Sequence, residues 1–248
     1  MIRVTDLHKS FGSQQVLKGV NLDFVSGKIT TIVGTSGCGK TVLLKHLNAL
    51  LLPDRGAVLV DSVDITKLRQ KELYEMRGRF GVLFQGAALL DSMTIFDNVA
   101  FPLREKTKTP EPEVRKKVEE RLDQVGLEGM GYKYPAELSG GMKKRAGLAR
   151  ALVTDPEIVL FDEPTTGLDP ILAASIHQLI ARTQQTFGFT GVVVSHTIPQ
   201  VFEISDYVAI LANGVIEEAK PAKEFQASKN PIVQQFIRGE TEGPIQVL

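Results

Sequence analysis

Apolar residues in this chain fall into short, nearly unbroken β-rich runs, separated by longer stretches in which they recur every three or four positions. Ile29–Val33, Phe80–Phe84, Ile158–Phe161 and Gly191–Ser195 are apolar almost throughout, which predicts strands buried on both faces rather than half-solvated ones. The first of these runs into glycines, and Val42–Leu52 behind it reads as a helix stopped by Pro53, a strand–loop–helix unit. Tyr207–Leu211 and Val215–Glu218 flank Asn213-Gly214, the residue pair that favours a two-residue hairpin turn. Short strands alternating with helical runs predict an α/β fold.

Between Gln85 and Asp155 the strand signal stops. Val114, Val118, Leu122 and Val125 recur at helical spacing with Glu113 four residues before Lys117, and Gly141–Thr154 is a second helical run ended before Asp155-Pro156. Residues 85–155 therefore read as a helical insert, with Glu105–Glu113 as a solvated connector inside it. After Lys220 the composition turns polar, and Ile232, Gln235 and Phe236 supply at most one helical turn with a small apolar face. This tail is too short for its own core and is expected to be disordered or packed on something else. The expected organisation is a core in two parts, 1–84 and 156–220, around the insert 85–155, with an extension at 221–248.

Composition narrows the class. At 248 residues, 43% apolar and 23% charged, the chain is long enough to bury a core and is neither disordered nor fibrous. Lys+Arg and Asp+Glu are both 29, so the basic surplus usual for a nucleic-acid binder is absent and no nucleic-acid partner is expected. One cysteine, Cys38, permits no internal disulfide, which suits a reducing compartment. No apolar run approaches the eighteen or so residues of a membrane span, and the first ten residues lack a secretory core. The expectation is a soluble cytosolic chain that meets a membrane only through a partner.

The chemistry begins at Gly34-Thr35-Ser36-Gly37-Cys38-Gly39-Lys40-Thr41, a phosphate-loop pattern set between a strand and a helix. Glycines let the backbone curl so that successive N–H groups form an anion nest at a helix N-terminus. Lys40 would reach the β- and γ-phosphates of ATP, and the Thr41 hydroxyl would bind Mg²⁺. Cys38 occupies a variable position of the loop, where a small tolerated side chain is the plain reading. Ile158–Phe161 ends in Asp162-Glu163. Asp162 is placed to hold Mg²⁺, and Glu163 to activate water as a general base. Leu138-Ser139-Gly140-Gly141-Met142 opens the second helix of the insert, with Ser139 as N-cap and two glycines that let a phosphate approach the backbone. One ATP needs one cradle, so this second anion site suits an ATP held by another copy.

Together these residues resemble the ATPase subunits of ABC transporters over residues 1 to about 220. The resemblance implies a phosphate-loop NTPase core with an antiparallel β subdomain and a helical insert. Leu138–Met142 is similar to the family's signature motif, with Met142 where Gln is usual. Gln85 is similar to the Q-loop glutamine, which contacts Mg²⁺ and water and couples to the membrane subunit. Gly167-Leu168-Asp169-Pro170 resembles the D-loop, which runs along the dimer interface, and His196 the switch histidine that contacts the γ-phosphate. Phe11, 23 residues before the loop, stands where the family places an aromatic ring that stacks on adenine; its plain reading is a core residue of a first strand.

A narrower resemblance is to the Mla-type lipid-transport ATPases. It rests on Phe96–Glu105 after the Q-loop, on Glu137–Met142, on Val194-Ser195-His196 followed by Ile198-Pro199, and on the tail Pro231–Ile237 with Gly243-Pro244. It implies a homodimer beneath a dimeric permease on the cytoplasmic side of the inner membrane, linked to an MCE-type lipid-binding protein and open to a small cytosolic regulatory subunit. It also implies that the tail reaches the other ATPase subunit. The catalytic motifs are equally those of a metabolite, amino-acid or ion importer, so that alternative stays open. Members of the class acting on DNA or ribosomes usually carry coiled-coil insertions or two cassettes, and a small-molecule kinase would not need Ser139–Met142, Asp169 and His196.

Overall fold

The structure is a computed structural model, and it describes residues 2–245. In chain order, β1 (Ile2–Phe11), β2 (Gln14–Phe24), β3 (Ile29–Val33), α1 (Lys40–Leu47), β4 (Arg55–Val60), β5 (Val63–Asp64) and α2 (Gln70–Arg77) come first. Next are β6 (Phe80–Leu83), α3 (Ile95–Lys106), α4 (Glu111–Gln124), α5 (Gly140–Leu152), β7 (Ile158–Asp162) and α6 (Pro170–Phe187). The chain closes with β8 (Thr190–Val194), α7 (Val201–Ile204), β9 (Tyr207–Ala212), β10 (Val215–Pro221), α8 (Ala222–Gln226) and α9 (Pro231–Arg238). These residues form two compact units, one of 1–77 with 190–248 and one of 78–189.

In the first unit, β2-β1-β4-β5 form an antiparallel sheet, with Ile2 opposite both Phe24 and Val60. A second set of strands runs β10-β9-β3-β8. There β3 is parallel to both neighbours, with Thr30 opposite Val192 and Tyr207, and every residue of β3 and β8 is buried, as a parallel strand covered on both faces requires. The hairpin at Asn213-Gly214 forms as the residue pair predicts, with φ of 53° and 85°.

Two sequence expectations shift here. Helix α1 stops at Leu47 rather than Leu52, because Asn48 leaves helical geometry and Ala49 turns left-handed at φ 53°. The Arg77 guanidinium of α2 then takes the freed carbonyls of Asn48 and Ala49, at 3.2 and 2.7 Å. Leu50 and Leu52, which lengthened the apolar run, are about half exposed. The tail, through its described residues to Ile245, packs on its own unit: Phe225 and Val233 are fully buried against Val33, Val201 and Ile210. Beyond α9 the chain folds back. The buried Gln235 side chain accepts the Ile245 N–H at 2.7 Å and donates to the Ile245 carbonyl at 2.9 Å, a β-bridge made by one side chain. Residues 246–248 of the expected extension lie outside the described residues.

In the second unit β6 and β7 pair in parallel, Phe80 opposite Ile158. Strand β6 ends at Leu83, and Phe84 lies beyond it, 37% exposed. The helices of the insert are α3, α4 and α5, with Val114, Val118 and Leu122 buried as their spacing predicts. The connector between the first two is shorter than expected, because α3 runs to Lys106 and α4 starts at Glu111. Helix α5 meets β6 at backbone distance: a Cβ on Gly81 would lie 2.3 Å from the Ala151 carbonyl oxygen, and one on Gly147 would lie 2.8 Å from a Leu83 methyl.

His177 of α6 is 1% exposed, and neither ring nitrogen has a hydrogen-bond partner among the described residues. Burial pushes its pKa down to about 4, so the folded chain keeps the ring neutral where the unfolded chain protonates it. The unfolded state then binds more protons in acid, and stability falls as pH drops from about 6.5 to 4, by about 3 kcal/mol. Denaturant unfolding at the two ends of that window, for wild type and His177→Leu, checks this. The variant is expected to lose that part of the slope; equal slopes would place the acid sensitivity elsewhere.

Candidate nucleotide site

Strand β3 delivers the chain into the phosphate loop and α1 leaves it. Gly34, Gly37 and Gly39 have φ of 155°, 78° and 105°, and the last two lie in the left-handed region that L side chains avoid. A Cβ at Gly37 would meet nothing within 4 Å, so glycine is needed there for backbone shape alone. At Gly34 and Gly39 space decides as well: a Cβ would lie 2.3 Å from the Leu211 carbonyl oxygen and 2.8 Å from a Val16 methyl. Lys40 is 4% exposed, and its ammonium donates to the carbonyls of Gly34 and Thr35 at 2.9 and 2.8 Å, across the mouth of the loop. The first turn of α1 carries no acidic residue, which leaves its N-terminus to an external anion. These residues fit the triphosphate of ATP. Burial pushes the Cys38 thiol up in pKa despite Lys40, which agrees with the plain structural reading.

His196 follows β8 and is exposed. With Thr35 of the loop and residues 235–241 of the tail it lines a cleft of about 520 Å³. Phe11 ends β1 and is 46% exposed, so it is not a core residue. The first unit thus holds Phe11, Gly34–Thr41 and His196.

The second unit holds Gln85, Ser139–Gly141, Asp162, Glu163 and Asp169. Asp162 closes β7 and is buried, and Glu163 turns left-handed at φ 45°. Its carboxylate accepts the Thr166 hydroxyl at 2.8 Å, which fixes the side chain. Ser139 caps α5 through the Met142 N–H at 3.3 Å. Leu168 and Leu172 lie against the signature glycines, 3.4 Å from a Cβ on Gly140 and 3.6 Å from one on Gly141. Asp169 caps α6, accepting from the N–H groups of Ile171 and Leu172 at 3.0 Å. Among the described residues no group of three His, Cys, Asp or Glu side chains could hold a metal alone. The side chains expected from the sequence to hold Mg²⁺, Thr41 in the first unit and Asp162 and Gln85 in the second, each offer oxygen, the donor Mg²⁺ takes alongside water and substrate phosphates.

Sequence reasoning missed the residues that hold Gln85. Lys144 is 6% exposed, and its ammonium donates to the Gln85 carbonyl. Burial pushes its pKa down, while the charges of Glu163 and Asp162 push it up. Arg150 donates to the carbonyls of Ala88 and Ala87, both at 2.6 Å, across a turn in which those alanines have φ of 48° and 59°. The signal was present: Gly141, Lys144, Leu148 and Ala151 share one helical face, and all four are buried. Thr94, Phe96, Arg115, Glu119, Glu128 and Tyr132 line a separate groove of about 650 Å³ among the helices of the insert.

The family described as ABC transporter matches residues 17–166. The chain is 43% identical over 245 residues to the intermembrane phospholipid transport system ATP-binding protein MlaF of Haemophilus influenzae, covering 99% of this chain and 93% of that one. It is 40% identical to MlaF of Escherichia coli K12, at 99% and 91% coverage. It is 46% identical to the probable ribonucleotide transport ATP-binding protein mkl of Mycobacterium leprae, over 98% of this chain and 70% of that one. Among solved structures, the ATP-binding cassette MJ0796, dimeric in a post-hydrolysis state with ADP and Pi, superposes with a TM-score of 0.82 at 32% identity, covering 90% of this chain and 99% of that one.

Arg150→Ala removes the donor from two carbonyls of a left-handed turn and is expected to cost about 1–3 kcal/mol, with faster amide hydrogen exchange confined to residues 85–90. Exchange at the wild-type rate there would mean that the turn holds without α5.

Proposed function

The chain belongs to the ABC transporter family of ATPases, and on that premise we propose that it powers phospholipid or other envelope-lipid transport beneath a membrane permease. It binds and hydrolyses ATP. No helix among the described residues is long and apolar enough to cross a membrane, and in this reading a separate permease supplies the cargo path. The observation that carries the lipid reading is the extent of the match: the phospholipid-transport relatives are covered over 91–93% of their length, the ribonucleotide-named one over 70%. All three matches cover 98–99% of this chain, tail included.

In this reading two copies associate head to tail, each ATP lying between Gly34–Thr41 of one and Ser139–Gly141 of the other. Phe11 stacks on adenine, Lys40 neutralises the β- and γ-phosphates, and Thr41, Asp162 and Gln85 hold Mg²⁺, which offsets phosphate charge when bound. Glu163, with its carboxylate steadied by Thr166, accepts a proton from the attacking water. His196 holds the γ-phosphate from its own side. Closure is favoured because that phosphate is gripped by both copies, and hydrolysis removes the grip. Asp169 orders the start of α6, where Ile171 is 83% exposed and available to the facing copy. Gln85 reports the nucleotide state to the insert. The aromatic groove at Phe96 and Tyr132 supports docking of a permease helix there.

Two measurements test this. Glu163→Gln is expected to bind ATP, stay dimeric and turn over about 10²–10⁴-fold more slowly; wild-type turnover would remove Glu163 from the role of base. Purification of the chain from detergent-solubilised native membranes is expected to recover a permease, an MCE-type protein and phospholipid. Recovery of a solute-binding protein instead would make the cargo a small solute, and recovery with ribosomes or DNA alone would end the transport reading.

A further inference from the structure

Phe11 is an odd choice for a precise platform. It is the last residue of β1, its ring is 46% exposed, and Gly12 follows at φ 60°. The pairing of β1 with β2 also shifts register between Lys9 and Ser10. An exposed ring on such an end must be held by its neighbours, or stacking would carry the entropy cost of ordering it.

Asp54, just before β4, holds each of the three residues that precede Phe11. Its N–H donates to the His8 carbonyl at 2.9 Å. One carboxylate oxygen accepts the Ser10 N–H at 2.6 Å, and the other accepts the Lys9 ammonium at 2.8 Å. That ammonium also donates to the Leu52 carbonyl at 2.9 Å and sits 5.8 Å from the centre of the Phe11 ring. A cation over one face of the ring fixes its tilt and leaves the other face for a base. Strand β4 can run this close to β1 because Gly56 has φ 93° and no side chain; a Cβ would lie 2.2 Å from the Asp6 carbonyl oxygen. The Lys9 ammonium, with the Ser10 N–H, keeps the Asp54 carboxyl below the usual carboxylate range, so the clamp is charged at neutral pH.

We propose that Asp54 is a positioning residue for the adenine ring: through Lys9 and the Ser10 amide it holds Phe11 ready to stack. This rests on Phe11 being the adenine platform, as in the proposed function. It places a base-specific determinant on a residue that touches no nucleotide.

The test is calorimetric titration of the full chain with ATP and with inorganic tripolyphosphate, which engages the phosphate loop without a base. Asp54→Ala is expected to weaken ATP about three- to tenfold, a part of what a base stack contributes, and to leave tripolyphosphate unchanged. Phe11→Ala is expected to weaken ATP at least as much, and the double variant no more than Phe11→Ala alone. Asp54→Asn, which keeps an acceptor, is expected to recover part of the loss. Lys9→Met, which keeps the stem and loses the ammonium, carries the same test if Asp54→Ala does not fold. Equal weakening of both ligands by Asp54→Ala, or none of ATP while Phe11→Ala weakens it, overturns the positioning role. Unchanged ATP binding by Phe11→Ala overturns the platform itself.

Discussion

A loop that grips phosphate with backbone N–H groups must curl around one point while keeping its own side chains out of the way, so its shape has to be imposed from outside. Here the imposition is steric. Gly34 is pressed against the backbone of β9 and Gly39 against Val16 of β2, so strands far apart in sequence set the loop's position. The Lys40 ammonium closes it from within, bonded to carbonyls five and six residues back. A buried ammonium is tolerable only with such partners, and an anion is the natural competitor of those carbonyls for it. Parallel pairing of β3 with β8 and β9 follows from the same demand. It brings the loop, Ser195-His196 and the tail to neighbouring strand ends, where open α/β sheets place their ligands.

The second unit solves a related problem with a helix. Helix α5 carries Ser139–Gly141 at its start and, four and ten residues after Gly140, the two cations that hold the turn after β6. Gly81 and Gly147 bring helix and strand close enough for those cations to reach backbone carbonyls rather than water. Ser139 and Gln85 therefore share α5 as a support, and the charges of Asp162 and Glu163 act on the same Lys144 that holds Gln85. Charge is spent on backbone geometry here, and that explains a buried Lys in a helix whose other inward residues are Gly, Ala and Leu.

Much of this was legible in the chain. The phosphate loop, the strand-end carboxylates and the hairpin are local patterns whose physics is contained in a few residues. Where the reading slipped, the deciding partner was distant. Leu50 and Leu52 extended an apolar run, but Arg77, some 27 positions from Leu50, caps the helix earlier. Lys144 stands in the basic run Lys143-Lys144-Arg145, and the register with Leu148 and Ala151 turns it inward. The tail lacks a core of its own because it completes that of α7, β3 and β9. Thr166 bonds to Glu163, and Asp54 to His8, Lys9 and Ser10, through contacts that no periodicity marks.

The Gln235 bridge has a topological consequence. By seizing both backbone groups of Ile245, one side chain holds that residue on the rim shared by Thr35 and His196. A label carried on Ile245 would therefore sit beside the phosphate loop. At the opposite end, Ile2 is hydrogen-bonded into the middle of the antiparallel sheet, on strands that carry none of the loop. The two ends are not interchangeable as handles. The first can report on events at the cleft, by a dye or a reactive group, and the second can be grasped without touching them.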